Sequence, residues 1–177
     1  MNTLPKLRVG ALDLLLAPPG LHASLTQELL ARLGSRGEVR VLEGGNRLDT
    51  HSLARDLRRQ TPRLHAALDR ITVARAFTCY QMVTLLAETE TALTPTLVLR
   101  LLNTFYDENV PLAERKRLLW RSIEELHRLS KSAPVLVSVR PPRPEQSPEL
   151  VAILLEAADR VHHFELVADT SRQLPLL

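Results

Sequence analysis

Cysteine, lysine and aromatic residues are all scarce in this sequence. Cys79 is the only cysteine, so no disulfide can form within the chain and a cysteine-based zinc site is not expected. Phenylalanine, tyrosine and tryptophan together make up 3% of the residues, so aliphatic side chains must fill the core. A lone cysteine suits a reducing compartment, and we therefore expect a cytoplasmic protein.

Long apolar runs are missing as well. The apolar stretch nearest the N-terminus is about six residues long and contains Asp13, which is too short to span a membrane. It also lacks the small-residue cleavage pattern of a signal peptide, and we expect no association with a membrane. The net charge of +3 is too small to imply nucleic-acid binding by itself.

What is present is the composition of an ordinary globular protein. Of the 177 residues, 45% are hydrophobic and 24% are charged, which is typical of a chain with one sizeable core. No internal repeat, low-complexity segment or domain boundary stands out. Residues 1–177 are therefore predicted to form a single domain.

Short apolar runs alternate with helical patterns along the chain. The runs predict strands over residues 11–16, 39–42, 70–74, 96–102, 135–139 and 160–167. The helical patterns cover residues 23–33, 52–59, 62–68, 80–88, 111–129 and 149–158, and residues 169–177 are expected to be irregular. This alternation predicts an α/β fold of three layers, with a mostly parallel sheet, helices on both faces and the last strand at an edge.

The stretch "LLLAPPGLHASLTQELL" has the strand, turn and helix of a phosphate-binding loop. On the template G-x-x-x-x-G-K-[ST], Ala17, His22 and Ala23 replace the two glycines and the lysine, and only Ser24 keeps its type. We therefore expect weak or absent ATP binding through this loop and no measurable ATPase activity. The helix start near Gly20 can still hold an anion with its free N–H groups. The alternative is that Pro-Pro-Gly only turns the chain and that Ser24 caps the helix or is exposed.

Ligands of open parallel sheets bind where the strands end, so the loops after the strands are the candidate site. These loops are "APPGLHAS", "EGGNRLD", "RAFTCYQ", "NTFYDEN" and "RPPRP". In the second of them, Gly45 lets a ligand approach the backbone closely. Arg47 can bind a phosphate or carboxylate through two parallel hydrogen bonds from its guanidinium. The alternative is a plain glycine turn in which Arg47 pairs with Asp49.

Further arginines end other predicted strands. Arg75 and Arg140 do so, and together with His22, Arg47 and Arg100 they would form a cationic rim suited to an anion. Arg100 can instead be a buried, paired charge, and the sequence does not separate the two.

Carboxylates and histidines give weaker signals. Asp107 and Glu108 can bind a cation, although a turn ahead of Pro111 is the favoured interpretation. His162 and His163 are adjacent on a predicted strand and face opposite sides, so neither they nor other residues predict a metal site.

The segment "DRITVARAFTCYQMVTLL" resembles part of the archaeal and eukaryotic RecA-type recombinases, ATPases of the P-loop superfamily. In that family a strand ends in "ARAF" or "ARAY" and leads into a helix with a glutamine near its start. The matching residues are Ala74, Arg75, Ala76, Phe77 and Gln81. The resemblance implies a RecA-like core.

Other segments follow in the order of the same family. "RVLEGGNRLDTHSLARDLRR" resembles the strand and loop that carry the catalytic acidic residue. "PTLVLRLLNTFYDENVPLAERKRLLWRSIEELHRLSKSAPVLVSV" resembles the Mg²⁺-site strand, the long helix and the next core strand. The resemblance covers residues 11–167 as an order of elements, and only the "VARAF" stretch is specific at the level of residues.

The departures from the family concern its chemistry. The phosphate loop lacks its lysine, and the acidic Mg²⁺ position at the end of "LVLR" corresponds to Arg100. The catalytic glutamate would fall near Gly44 or Gly45, so Glu43 stands one or two residues too early. Together these departures predict a RecA-like fold without the RecA-like reaction, with no cofactor, since ATP with Mg²⁺ is disfavoured.

The resemblance implies a non-catalytic binding or assembly protein, in DNA repair or recombination, that joins a protein partner or copies of itself. One alternative is a nucleotide- or anion-binding protein with a rebuilt site around Ser24, Arg47, Asp107 and Arg140. Another is a nucleic-acid-binding module. The sequence leaves these alternatives open.

Overall fold

Strands and helices alternate through residues 4–165, the part of the chain that the computed structural model describes. The strands of this part are β1 (Leu12–Leu16), β2 (Val39–Gly44), β3 (Ile71–Ala76), β4 (Thr96–Leu99), β5 (Val135–Val139) and β6 (Arg160–His163). Its α-helices are α1 (Pro19–Gly34), α2 (Thr50–Gln60), α3 (Leu64–Asp69), α4 (Cys79–Glu88), α5 (Leu112–Ser130) and α6 (Pro148–Ala157). The predicted irregular tail, 169–177, and the last two residues of the predicted final strand lie outside the described residues.

The strands form one six-stranded sheet in the order β3-β2-β4-β5-β1-β6, and every neighbouring pair is parallel. Side chains of α1, α2 and α3 pack with one face of the sheet, and those of α4, α5 and α6 pack with the other. The predicted α/β class, with three layers and helices on both faces, is confirmed and is consistent with a RecA-like core. Within residues 4–165 no helix is both long and apolar enough to cross a membrane.

The central strands are apolar on both faces because helices cover both faces. All five residues of β5 are buried, and β4 is equally enclosed. By contrast, β6 is half-buried to exposed along its length, as expected of the predicted edge strand. The continuous apolar runs of the sequence therefore mark the middle of the sheet.

Several element boundaries differ from the predictions, mostly by one or two residues, and β6 ends at His163, short of the predicted residue 167. The differences at α1 and β4 have a clear local cause. Helix α1 begins at Pro19 rather than at residue 23, because proline is well suited to the first helical position, where its missing N–H is not needed. Strand β4 ends at Leu99 rather than at residue 102, because Arg100 adopts the left-handed conformation with φ 56° and ψ 40°. The chain then continues as a short 3₁₀ helix, Leu101–Thr104, whose first two leucines are buried.

A buried carboxylate ties the edge strand β6 to the sheet. Asp13 of β1 is fully buried and accepts a hydrogen bond of 2.6 Å from Nη2 of Arg160. Its other carboxylate oxygen lies 2.7 Å from Nε2 of His162. Both partners belong to β6, so the polar residue that interrupts the first apolar run of the sequence is explained by an ion pair between strands.

Candidate functional site

The loops that follow β1, β2, β4 and β5 meet at one edge of the sheet. They do so because all of the strands are parallel and these four are neighbours in the strand order. The fifth predicted loop, "RAFTCYQ", follows β3, which is the outermost strand on its side. Four of the five predicted loops therefore supply residues to one site.

One opening at this edge is here called the arginine cleft. It has a volume of about 420 Å³. An adjoining recess of about 110 Å³ adds apolar walls from Pro19, Leu102, Val139 and Pro141. Among the described residues no carboxylate lines the cleft, so its charge is strongly positive. The residues that line it are Arg47, Arg100, Asn103, Tyr106, Arg140, Arg143 and Gln146.

A second opening, the His22 pocket, adjoins the arginine cleft. It has a volume of about 180 Å³ and shares Arg47 and Arg100 with the cleft. Asp49 is the one carboxylate in its lining, and that carboxylate accepts hydrogen bonds from the backbone N–H groups of His51 and Ser52 at the start of α2. The pocket is lined by His22, Ala23, Thr26, Gln27, Arg47, Leu48, Asp49, Leu99 and Arg100.

Arg100 lines both openings and has an unusual backbone conformation. Its N–H donates to the carbonyl oxygen of Ser138 on β5 at 3.1 Å, while its own carbonyl lies against Gly44 of β2. A left-handed conformation costs a residue with a β-carbon about 1 kcal/mol or more, and such strain is characteristic of functional positions. Burial lowers the pKa of the Arg100 guanidinium, and Glu43 opposes this shift.

Glu43 is fully buried at the end of β2 and is surrounded by donors. Its carboxylate accepts the backbone N–H of Arg47 at 2.6 Å and Nε of Arg75 at 3.2 Å. Nη1 of Arg100 lies 3.5 Å from the same carboxylate. Glu43 is therefore engaged in structural contacts and is not free to activate a water molecule.

These contacts revise two of the sequence interpretations. Arg75 pairs with Glu43 and does not line either opening, so it is not part of a cationic rim. Arg100 is both paired, as the alternative interpretation held, and a member of the rim. The sequence also allowed an ion pair between Arg47 and Asp49. In the described structure this pair does not form, because Asp49 caps α2 and Arg47 lines both openings.

His22, in the first turn of α1, is 1% exposed. Within the described residues, neither of its ring nitrogens has a hydrogen-bond partner. Burial lowers its pKa to about 4, and the positive charges of Arg100 and Arg140 act in the same direction. The imidazole is therefore neutral at pH 7 and offers one N–H donor and one acceptor.

The buried His22 is expected to make the protein sensitive to acid. In the unfolded chain its pKa returns to 6.5, so the unfolded state takes up a proton first as the pH falls from 6.5 towards 4. The free energy of unfolding should therefore drop by about 2 kcal/mol between pH 7 and pH 5 on account of this residue. Urea unfolding of wild type and His22→Leu at both pH values measures this difference.

The matched control for this experiment is His65→Leu, which removes an exposed histidine of α3. It should keep the pH dependence of the wild type. If the free energy of unfolding falls equally between pH 7 and pH 5 in wild type and in His22→Leu, His22 is not buried in its neutral form.

Tyr106 is a second buried polar group without a partner in the described residues. Its hydroxyl makes no hydrogen bond, and burial raises its pKa to about 12. Nearby, Nη2 of Arg140 donates to Oδ1 of Asn103 at 3.4 Å, and Oε1 of Gln146 accepts the backbone N–H of Arg143 at 3.0 Å. These bonds order the loop after β5 around the cleft.

Three of the eight residues nominated from sequence line the openings, namely His22, Arg47 and Arg140. Sequence reasoning missed Asn103, Tyr106, Arg143 and Gln146. The only signal for them was their position in loops that follow strands, since none belongs to a recognisable motif.

The remaining nominated residues have local roles. Gly20 and Ser24 are exposed on α1, and the Ser24 hydroxyl donates to the carbonyl of Leu21 at 2.9 Å. Gly45 turns the chain at φ 109°. Asp107 accepts the backbone N–H and the side-chain amide of Asn109 at 3.0 and 2.8 Å, which is the turn that the sequence favoured. Gly20, Ser24, Gly45 and Asp107 line neither opening.

No protein-family model matches the chain, and no curated protein matches it either. Among residues 4–165, no group of three or more histidine, cysteine, aspartate or glutamate side chains is placed to hold a metal ion.

Proposed function

We propose that this chain is a RecA-like domain that binds a phosphate-bearing ligand in the arginine cleft and does not hydrolyse ATP. The observation that carries the proposal is Arg100, a guanidinium at the end of β4 that pairs with Glu43. Phosphoryl transfer from ATP depends on Mg²⁺ held by a carboxylate and on a residue that positions the attacking group. In this chain the guanidinium of Arg100 lies at the end of β4, and the nearby carboxylate of Glu43 is already bonded to Arg47, Arg75 and Arg100.

Phosphate is the anion that suits this lining. Guanidinium groups bind phosphate oxygens through two parallel hydrogen bonds, and four of them line the cleft. The N-terminus of α1 adds the positive end of a helix dipole beside it. Within the described residues, neither Arg47 nor Arg140 forms an ion pair with a carboxylate, so both are available to a ligand.

The biological setting is supported by the sequence resemblance alone. The "VARAF" segment supports a relation to recombinases, and with it a role in DNA repair or recombination beside a protein partner or a second copy of the chain. A binding function fits this setting because a domain that holds a ligand without turnover acts through its complexes.

Titration calorimetry with ATP and ADP, with and without Mg²⁺, tests the proposal. We expect binding that does not require Mg²⁺ and no release of phosphate from ATP. Arg47→Ala and Arg140→Ala should each weaken binding about tenfold to a hundredfold, because hydrogen bonds between charged groups are among the strong ones. The matched control is Arg58→Ala, which removes an exposed arginine of α2 and should leave the affinity unchanged.

Two results would contradict the proposal. Absence of binding at millimolar nucleotide would mean that the cleft does not take phosphate groups. Mg²⁺-dependent turnover that Ser24→Ala abolishes would mean that the first loop still works as a phosphate loop.

A further inference from the structure

The arginine cleft and the His22 pocket are two neighbouring chambers with two lining residues in common. Arg47 and Arg100 line both of them, so an anionic group in either chamber lies beside the same two guanidiniums. Two anionic groups joined by a short link can therefore occupy both chambers at once. A single anionic group can occupy only one.

The positive charge of the two chambers also favours a ligand with more than one anionic group. Glu43 offsets part of the charge of Arg100, and Glu145 lies 3.9 Å from Arg143. Arg47 and Arg140 keep their full charge, since no carboxylate pairs with them among the described residues. A ligand with several negative charges neutralises such a site, whereas a monoanion leaves it with uncompensated positive charge.

Each chamber contains a buried polar group that lacks a partner. The Tyr106 hydroxyl belongs to the arginine cleft, and the His22 imidazole belongs to the His22 pocket. Buried polar groups are nearly always hydrogen-bonded in native proteins, so these two groups offer hydrogen-bonding capacity that a ligand in the chambers can use. A phosphate oxygen can accept a hydrogen bond from the tyrosine hydroxyl and another from the N–H of neutral His22.

Neither chamber is built to recognise a nucleobase. Within residues 4–165, Tyr106 is the only phenylalanine, tyrosine or tryptophan in either lining, and its hydroxyl is buried. Bases are held by stacking on aromatic faces or in apolar slots, and the larger chamber is lined almost entirely by polar side chains. The apolar recess beside the arginine cleft has a volume of about 110 Å³ against about 420 Å³ for the cleft, so the site favours the phosphates of a ligand over a base.

We infer that the site takes a compact ligand with two linked phosphate groups, one in each chamber, and that a base adds nothing to the affinity. This inference rests on the proposed function, because it assumes that the arginine cleft binds phosphate.

Titration of the full chain at constant ionic strength with four probes tests it. The probes are inorganic pyrophosphate, orthophosphate, ADP and a single-stranded DNA oligonucleotide. Pyrophosphate should bind at least about tenfold more tightly than orthophosphate, because it reaches both chambers. ADP should bind no more tightly than pyrophosphate, and the oligonucleotide should not displace pyrophosphate.

Variants separate the chambers. His22→Leu should weaken pyrophosphate about tenfold and orthophosphate by less than about twofold, because the single phosphate remains in the arginine cleft. Tyr106→Phe keeps the ring and removes only the hydroxyl, so it tests the other chamber without disturbing the fold. It should weaken both probes by about tenfold.

The outcomes distinguish this inference from the proposed function. If no phosphate compound binds, both are wrong. If orthophosphate binds as tightly as pyrophosphate, or ADP binds tenfold more tightly than pyrophosphate, the cleft binds phosphate and only the inference is overturned. Displacement of pyrophosphate by the oligonucleotide would likewise overturn the inference and identify a nucleic-acid backbone as the ligand.

Discussion

Replacing Gly44 with alanine is expected to lower the free energy of unfolding by about 3 kcal/mol or more. A β-carbon at this position would lie 3.1 Å from the carbonyl carbon of Arg100 and would overlap the carbonyl oxygen. The two nearest atoms belong to the backbone of Arg100, directly after β4, so they cannot move aside as the end of a flexible side chain would. The substitution forces β2 and β4 apart at the edge where the cleft lies.

Urea unfolding or thermal unfolding measures this effect. For a protein of this size a loss of about 3 kcal/mol corresponds to a fall in Tm of about 6–12 °C. Gly37→Ala is the matched control, because a β-carbon there has no neighbour within 4 Å and the residue is not left-handed. Equal stability of the two variants would mean that the Arg100 carbonyl does not lie against Gly44.

Glu43→Gln is expected to weaken the fold and to tighten ligand binding at the same time. The amide keeps the shape of the side chain and still accepts the N–H of Arg47, but it removes the buried negative charge beside Arg75 and Arg100. Loss of one member of a buried ion pair costs about 3–5 kcal/mol when nothing replaces it, and we expect about 2 kcal/mol here because the amide replaces it in part. The freed charge of Arg100 should raise the affinity for pyrophosphate several-fold.

Salt provides a further test of the Glu43 variant. The gain in affinity is electrostatic, so it should shrink when the ionic strength rises from about 0.01 to 1 M, over which the screening length falls about tenfold. Glu114→Gln is the matched control, since Glu114 pairs with Arg117 on the exposed surface of α5, where an ion pair contributes little. A Glu43→Gln protein with unchanged stability and unchanged affinity would mean that Glu43 does not hold Arg100.

The placement of the elements along the chain was predictable from local chemistry. Buried parallel strands are apolar on both faces, and their runs at residues 39–42 and 135–139 are enclosed by polar or proline-containing segments. The carboxylate of Asp49 caps α2, and aspartate is among the residues that favour this position. The boundaries at Pro19 and Arg100 differed because proline fits the first helical position and because Arg100 adopts a left-handed conformation that ends the strand.

The site was only partly predictable because its composition depends on strand order. Arg75 ends a strand, as Arg140 does, and in the sequence the two look alike. In the fold β3 is at the edge of the sheet while β5 is in the middle, so Arg140 reaches the cleft and Arg75 turns to Glu43. The residues of one strand and its loop do not determine which other strands lie beside it in the sheet.

The sequence by itself determined the α/β class, the absence of the phosphate-loop lysine and the presence of arginines after the strands. These properties depend on residue type and short-range spacing, which the sequence states directly. The tertiary structure alone decided that His22 is buried without a partner in the described residues. It also decided that Glu43 pairs with Arg75 and Arg100, and that Arg100 lines both chambers. Those properties depend on burial and on contacts between residues as far apart in the chain as Glu43 and Arg100, and only packing establishes such contacts.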